Sequence, residues 1–285
     1  ILDMNMQYNY NYVDLIFEAG ELCMLNKKNA VKIINRSRVN NILAEMFKVP
    51  LFFISASMGY GKTTLVKNFL KKKSNVKVIY IENEENNDVW IWNKFCDSLK
   101  SINSDLNEKL REYGIPQNNN DAYKIIRLIR NEIKQKTVLV IDDWKDTNSY
   151  INYLIRNAVM EEIPNFYILI ISRNMPSNEY IEFELKQKCI IMNQEDIAFN
   201  FDETIEFFEI NGVLLNNREK REVYEYTGGW ISAAYLALLQ YYEERTFDNI
   251  TKAAKLIKKT VYDKFDETTK EILLKLSMVE NFTLE

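Results

Sequence analysis

The chain has 285 residues, no histidine, three cysteines and 37 basic against 41 acidic side chains, a net charge of −4. Without imidazole, His-ligated zinc, Ser-His or Cys-His nucleophile pairs and imidazole acid–base catalysis are excluded. Cys23, Cys96 and Cys189 lie more than seventy positions apart, which excludes a CxxC metal knuckle and a dense disulfide framework and fits a reducing, cytoplasmic setting. The length suits one large domain or two ordinary ones, and the slightly acidic balance gives no wholesale pull on nucleic-acid phosphates.

In chain order, Tyr8, Tyr10 and Tyr12 alternate, which suggests an edge strand or an extended arm, so residues 1–35 are read as an N-terminal arm. Glycine is scarce: ordinary usage would give about twenty, yet there are seven. Four of them fall in two pairs, Gly59 with Gly61 and Gly228 with Gly229, which implies backbone geometry that a Cβ would forbid. Before the first pair, Leu51 to Ser55 is a short apolar run suited to a strand buried on both faces. After it, Leu65, Val66, Phe69 and Leu70 form the apolar stripe of a helix that closes on Lys71 to Lys73.

Strand, glycine loop and helix is the setting of a phosphate-binding loop. The segment Ala56-Ser57-Met58-Gly59-Tyr60-Gly61-Lys62-Thr63-Thr64 matches GxxxxGK[ST] except for Ala56 in the first position. In such a loop the backbone amides face a polyphosphate, Lys62 reaches its terminal phosphates and the Thr63 hydroxyl coordinates Mg²⁺. A partner strand ending in a carboxylate is then required, and Thr137 to Asp143 supplies one. Asp142 is the Mg²⁺ residue by position; Asp143 either polarises an attacking water or caps the segment that follows.

Further strands are predicted at Val76 to Ile81, Phe166 to Ile171 and Cys189 to Met192, with helices at Val89 to Ile102, Tyr123 to Lys134 and near Tyr150 to Met160. Alternating strands and helices imply an α/β fold with a five-stranded, mostly parallel sheet over residues 36–195. Ligands bind beyond the carboxyl ends of such strands, which places Ser172 and Arg173 toward a γ-phosphate, the alternative for Arg173 being an ordinary surface loop. From Glu195 the pattern is helical alone, giving a small all-helical domain over 196–260. There Thr204 to Ile210, Arg218 to Tyr226 and Trp230 to Tyr242 read as helices, and Gly228-Gly229 as a tight turn with Trp230 in the core. Trp230 to Leu239 is too short to span a bilayer, which needs about 20 apolar residues. Lys252, Lys255, Lys258 and Lys259 read as a solvated helix face. The chain opens on Ile1 and closes at Glu285 inside a helix-like pattern, so both ends read as cut from a longer protein.

In this order the features resemble the STAND class of P-loop ATPases, and within it the large ATP-binding LuxR-type transcriptional activators of the maltose-activator kind. Arg36 and Arg38 in Ile34 to Val39 resemble the family's Arg-x-Arg segment beside the adenine. Ala56 to Leu65 resembles its glycine loop, where Ala in first place is usual. Ile81 to Phe95, with Glu84, Glu85, Asn86 and Trp90, is similar to its acidic segment. Val140 to Asp143 resembles the metal-binding strand, Ile171 to Asn174 the sensor arginine, and Thr227 to Trp230 the Gly-Trp motif that brings Gly229 and Trp230 to the nucleotide. Asp266 to Thr268 with Ile272 to Leu274, inside 261–285, resembles the start of a winged-helix domain. The residues up to about Val31 match nothing in the family.

The resemblance implies a slow ATPase that acts as a switch, with ADP holding a resting form and ATP permitting self-association. DNA contact would be made only through a C-terminal helix-turn-helix that these residues lack, and no membrane is involved. Two other readings are a P-loop kinase of small molecules, which generally carries its metal acid on the strand next to the loop strand, and an interaction scaffold with an inert nucleotide site.

Overall fold

The computed structural model describes residues 31–83, 87–100, 103–145, 150–245 and 247, with 266, 267, 270 and 271. The expectations for Tyr8, Tyr10, Tyr12, Cys23, Glu84 to Asn86, the lysines at 252–259 and most of 261–285 lie outside these residues. The described residues divide into two compact units, one of residues 35–198, the other of those from Phe199 onward with residues 31–34.

The first unit is an α/β sandwich. Its strands are β1 (Leu51–Ser55), β2 (Lys77–Glu82), β3 (Thr137–Trp144), β4 (Phe166–Ser172) and β5 (Cys189–Met192). They lie in the order β2-β3-β4-β1-β5, every described pairing parallel. A parallel sheet is buried on both faces, so its strands are apolar throughout rather than alternating, as the Leu-Phe-Phe-Ile run of β1 and the Val-Leu-Val-Ile run of β3 are.

Side chains of successive residues still part to opposite layers. Leu51, Phe53, Leu139, Ile141, Ile168 and Ile170 pack under one set of helices: α3 (Asp88–Lys100), α4 (Ser104–Tyr113), α5 (Asn119–Glu132) and α6 (Tyr150–Glu161), with α7 (Asn178–Leu185). Phe52, Ile54, Val138, Val140, Leu169 and Ile171 face the other way. They meet α1 (Ser37–Ala44) through Val39 and Leu43 and α2 (Lys62–Lys71) through Val66, Phe69 and Leu70. The short α8 (Gln194–Ile197) ends the unit.

Because β4 lies between β1 and β3, the glycine loop after β1 and the two acids at the end of β3 belong to strands one apart. The carboxyl ends of all three open on the same edge, since the strands are parallel.

The second unit is helical in its described residues, with α9 (Phe201–Ile210), α10 (Asn217–Thr227) and α11 (Ile231–Glu244). Its core joins Phe199, Phe207, Phe208, Val213, Val223, Ala234 and Leu238. Asn200 and Asn216 each accept from a first-turn amide, while Glu203 and Glu219 reach back to the Asn amides, so both helices start in capping boxes. The turn between α10 and α11 takes φ of +54° at Gly228 and +74° at Gly229, as the paired glycines imply. No described helix is long and apolar enough to cross a membrane.

Candidate functional site

The loop leaving β1 turns through left-handed conformations at Gly59 (φ +86°) and Gly61 (φ +71°), and Gly61 is the N-cap of α2. A Cβ at either would strain the backbone. No side chain caps α2, so its first amides and the positive end of its dipole face the loop. That is the electrostatic requirement for an anion at a helix N-terminus.

Lys62 opens α2 and is only 9% exposed. Its ammonium folds back on the loop, donating to the carbonyl of Ala56 at 2.5 Å and to that of Ser57 at 3.0 Å. Burial lowers its pKa to about 8, with the nearby Arg173 pushing the same way against the attraction of Asp142 and Asp143. The Ser57 amide donates to the side-chain oxygen of Gln194 at 3.1 Å. Met58, Tyr60 and Thr64 are half-buried around the turn, and burial with the neighbouring Glu195 raises the Tyr60 phenol.

Asp142 is buried and receives three hydrogen bonds. Thr63 Oγ1 donates to its Oδ2 at 2.7 Å, the Tyr80 hydroxyl to the same oxygen at 2.6 Å, and the Asp143 amide to Oδ1 at 2.8 Å. One hydroxyl and one carboxylate, both hard oxygen donors and already in contact, fit Mg²⁺, which takes few protein ligands and keeps waters and substrate phosphates as the rest.

The register of β3 against β4 shifts between Ile141 and Trp144, and Asp143 sits in this bulge at φ +55°. Bulges beside sites re-aim side chains. Here the effect is an ion pair, Arg173 Nε to Asp143 Oδ1 at 2.8 Å, with the partners 43% and 28% exposed. At such exposure the pair contributes little stability, so its interest is positional.

Ser172 departs from the expectation that it faces phosphate. It is 2% exposed, and its hydroxyl donates to the Trp144 carbonyl at 2.9 Å and accepts from the Asn174 amide at 3.1 Å. It braces the end of β4 and leaves Arg173 as the outward group. Arg36 and Arg38 fasten the segment after β5: Arg36 Nη2 and Arg38 Nη2 both donate to Ala198 O at 2.9 Å, and Arg38 Nη1 to Asp196 O at 2.8 Å. Gly229 and Trp230 lie in the helical unit, where Gly229 accepts from the Phe199 amide and Trp230 is the N-cap of α11.

No protein-family model matches the chain. It is 24% identical over 272 residues to the HTH-type transcriptional regulator MalT of Vibrio campbellii, covering 88% of this chain and 30% of that protein. It is also 24% identical over 221 residues to the serine/threonine-protein kinase PknK of Mycobacterium tuberculosis, covering 73% of this chain and 20% of that one. Among solved structures, a STAND protein with a tetratricopeptide repeat sensor from Pyrococcus horikoshii superposes with a TM-score of 0.56 at 21% identity, covering 89% of this chain and 36% of that one. A Walker-type ATPase of Pyrococcus abyssi does so at 0.55 and 12%, covering 87% and 80%.

The chain has the fold of P-loop ATPases and is similar in sequence to MalT-like regulators. The chain spans about a third or less of the length of the curated relatives it matches.

Two residues of the domain's strand-end cluster escape motif reading. Tyr80 belongs to no motif, and its role depends on β2 lying beside β3. In the register Tyr80 faces Val140, two residues before Asp142 on the same side of the sheet. Gln194 reaches the loop only because β5 flanks β1.

Proposed function

We propose that this chain is the nucleotide-dependent switch of a MalT-like transcriptional regulator, binding ADP at rest and ATP when active, with slow hydrolysis resetting it. The observation that carries the reading is the 2.7 Å contact of Thr63 with Asp142, which joins the N-terminus of α2 to the end of β3 across the intervening β4. In this reading the amides of Ser57 to Thr63, Met58, Gly59, Tyr60 and Gly61 among them, cradle the polyphosphate. Lys62 exchanges its two loop carbonyls for phosphate oxygens, with Thr64 beside it, and Arg36 and Arg38 lie on the adenine side. Mg²⁺, when bound, neutralises phosphate charge, and Thr63 and Asp142 hold it. Asp143 orients and polarises a water, and Arg173 leaves Asp143 for the γ-phosphate, which makes the ion pair a reporter of ATP over ADP.

Self-association in the ATP form is the output, and promoter contact is assigned to a helix-turn-helix outside these residues. The small-molecule kinase reading loses support to the strand order, because β4 separates the acid strand from the loop strand. Protein purified without added nucleotide is expected to release ADP on heat denaturation, and Lys62→Ala to release none. Folded wild-type protein that neither retains nor binds an adenine nucleotide would refute the reading. Single-turnover hydrolysis at background in both wild type and Asp143→Asn would leave an inert scaffold instead.

A further inference from the structure

Asp142 offers its carboxylate to a hydroxyl that the glycine loop does not supply. Tyr80 comes from β2, on the far side of β3, and its hydroxyl lies 2.6 Å from Asp142 Oδ2, the oxygen that also accepts from Thr63. The ring is held from the side as well: the Lys67 ammonium lies 4.8 Å from its centroid and pairs with Glu82, two residues along β2, at 2.6 Å. The other carboxylate oxygen is fixed by the Asp143 amide. Both oxygens of Asp142 are therefore restrained, one by backbone and one by two hydroxyls of different origin.

We propose that Tyr80 is a positioning residue for the divalent cation: its hydroxyl, together with that of Thr63, holds the Asp142 carboxylate in the orientation that receives Mg²⁺. The proposal rests on the nucleotide-switch reading. A hydroxyl bound to a cation through an oxygen lone pair keeps its O–H to donate, so Thr63 can serve the metal and Asp142 together, with Tyr80 as the second donor to the same carboxylate oxygen. Tyr80 approaches from the opposite neighbour strand and need not move. Hydrogen bonds from a hydroxyl to a charged carboxylate are among the stronger ones in proteins, and losing a preorganised ligand weakens metal binding through a partner that never touches the metal.

The test is the Mg²⁺ requirement for binding a fluorescent ATP analogue, measured in full-length wild type and Tyr80→Phe, with a parallel titration in EDTA. The Phe variant is expected to need about tenfold more Mg²⁺ for half-maximal tight binding, with metal-free affinity within about twofold of wild type. A residue with a merely structural role would lower the melting temperature and weaken both titrations alike. Lys67→Ala, which keeps the hydroxyl but frees the ring, is expected to shift the requirement in the same direction by about threefold, and it stands as the second arm should the Phe variant not fold. An unchanged or lowered Mg²⁺ requirement in the folded variants overturns the assignment of Tyr80 alone. Wild type that binds no nucleotide with or without Mg²⁺ overturns the switch reading, and this assignment with it.

Discussion

In the sheet unit the polar groups at the strand ends answer one another across long stretches of sequence: Thr63 and Tyr80 meet Asp142, and Arg173 meets Asp143. In the helical unit the helix starts are satisfied locally. Asn200 with Glu203 and Asn216 with Glu219 close their capping boxes within one turn, and Phe207, Phe208 and Phe247 stack edge to face beneath them. The first pattern is costly, since it buries an ammonium and a carboxylate and holds Asp143 in a left-handed conformation. The second satisfies orphan amides and packs rings, which is what stability asks for. Buried charge and distant polar partners meet at this edge of the sheet, whereas the helix starts are closed by their own first turn.

The sharpest break in this comparison is the largest effect expected. Phe208→Ala removes a fully buried ring and should cost about 3–5 kcal/mol in chemical denaturation, a stability loss with no counterpart at the strand-end cluster. Lys62→Ala is its mirror image. It should weaken MgATP binding by at least about a hundredfold while melting no earlier than wild type, because the substitution removes a buried charge. A variant that loses stability and keeps its affinity would reverse the roles given to the two regions.

The pH dependence follows from the same lysine. With its folded pKa near 8 and its ordinary value at 10.5, the unfolded chain holds a proton that the folded chain has lost across that window. The penalty of burying Lys62 is therefore in full force below pH 8, and unliganded stability contributed by this group rises from pH 8 to 10.5. Phosphate prefers the ammonium, so ATP affinity runs the other way and should fall about tenfold between pH 7 and pH 9, with proton uptake seen in buffers of different ionisation enthalpy. Lys62→Arg, which keeps its charge, should flatten that profile. The smallest effect sharpens the helical side: Asn216→Ala should cost about 1 kcal/mol in denaturant unfolding through the loss of one N-cap.

What could be read from the sequence follows the same division between local and distant. The limits of β1 and β5 are those predicted, because an apolar run between turn residues is a local signal. The glycine loop and the acids of β3 were legible for the same reason. Helices α4 and α7 were not: Leu106 and Leu110 are nearly the whole apolar face of α4, and Tyr180 and Phe183 that of the short α7, too few positions for a period to emerge. Strand order was beyond reach, since buried runs look alike whichever neighbour they pair with. Tyr80 and Gln194 were missed with it, and Ser172 was misjudged because its partners, Trp144 and Asn174, become visible only when β3 and β4 are aligned.

Titration calorimetry of the folded wild-type protein, stripped of nucleotide, with Mg²⁺-loaded ATP and ADP tests the central claim most directly. The expected result is saturable heat at one nucleotide per chain for both, lost in Lys62→Ala. No heat from either nucleotide, on protein shown by its melting transition to be folded, would contradict it.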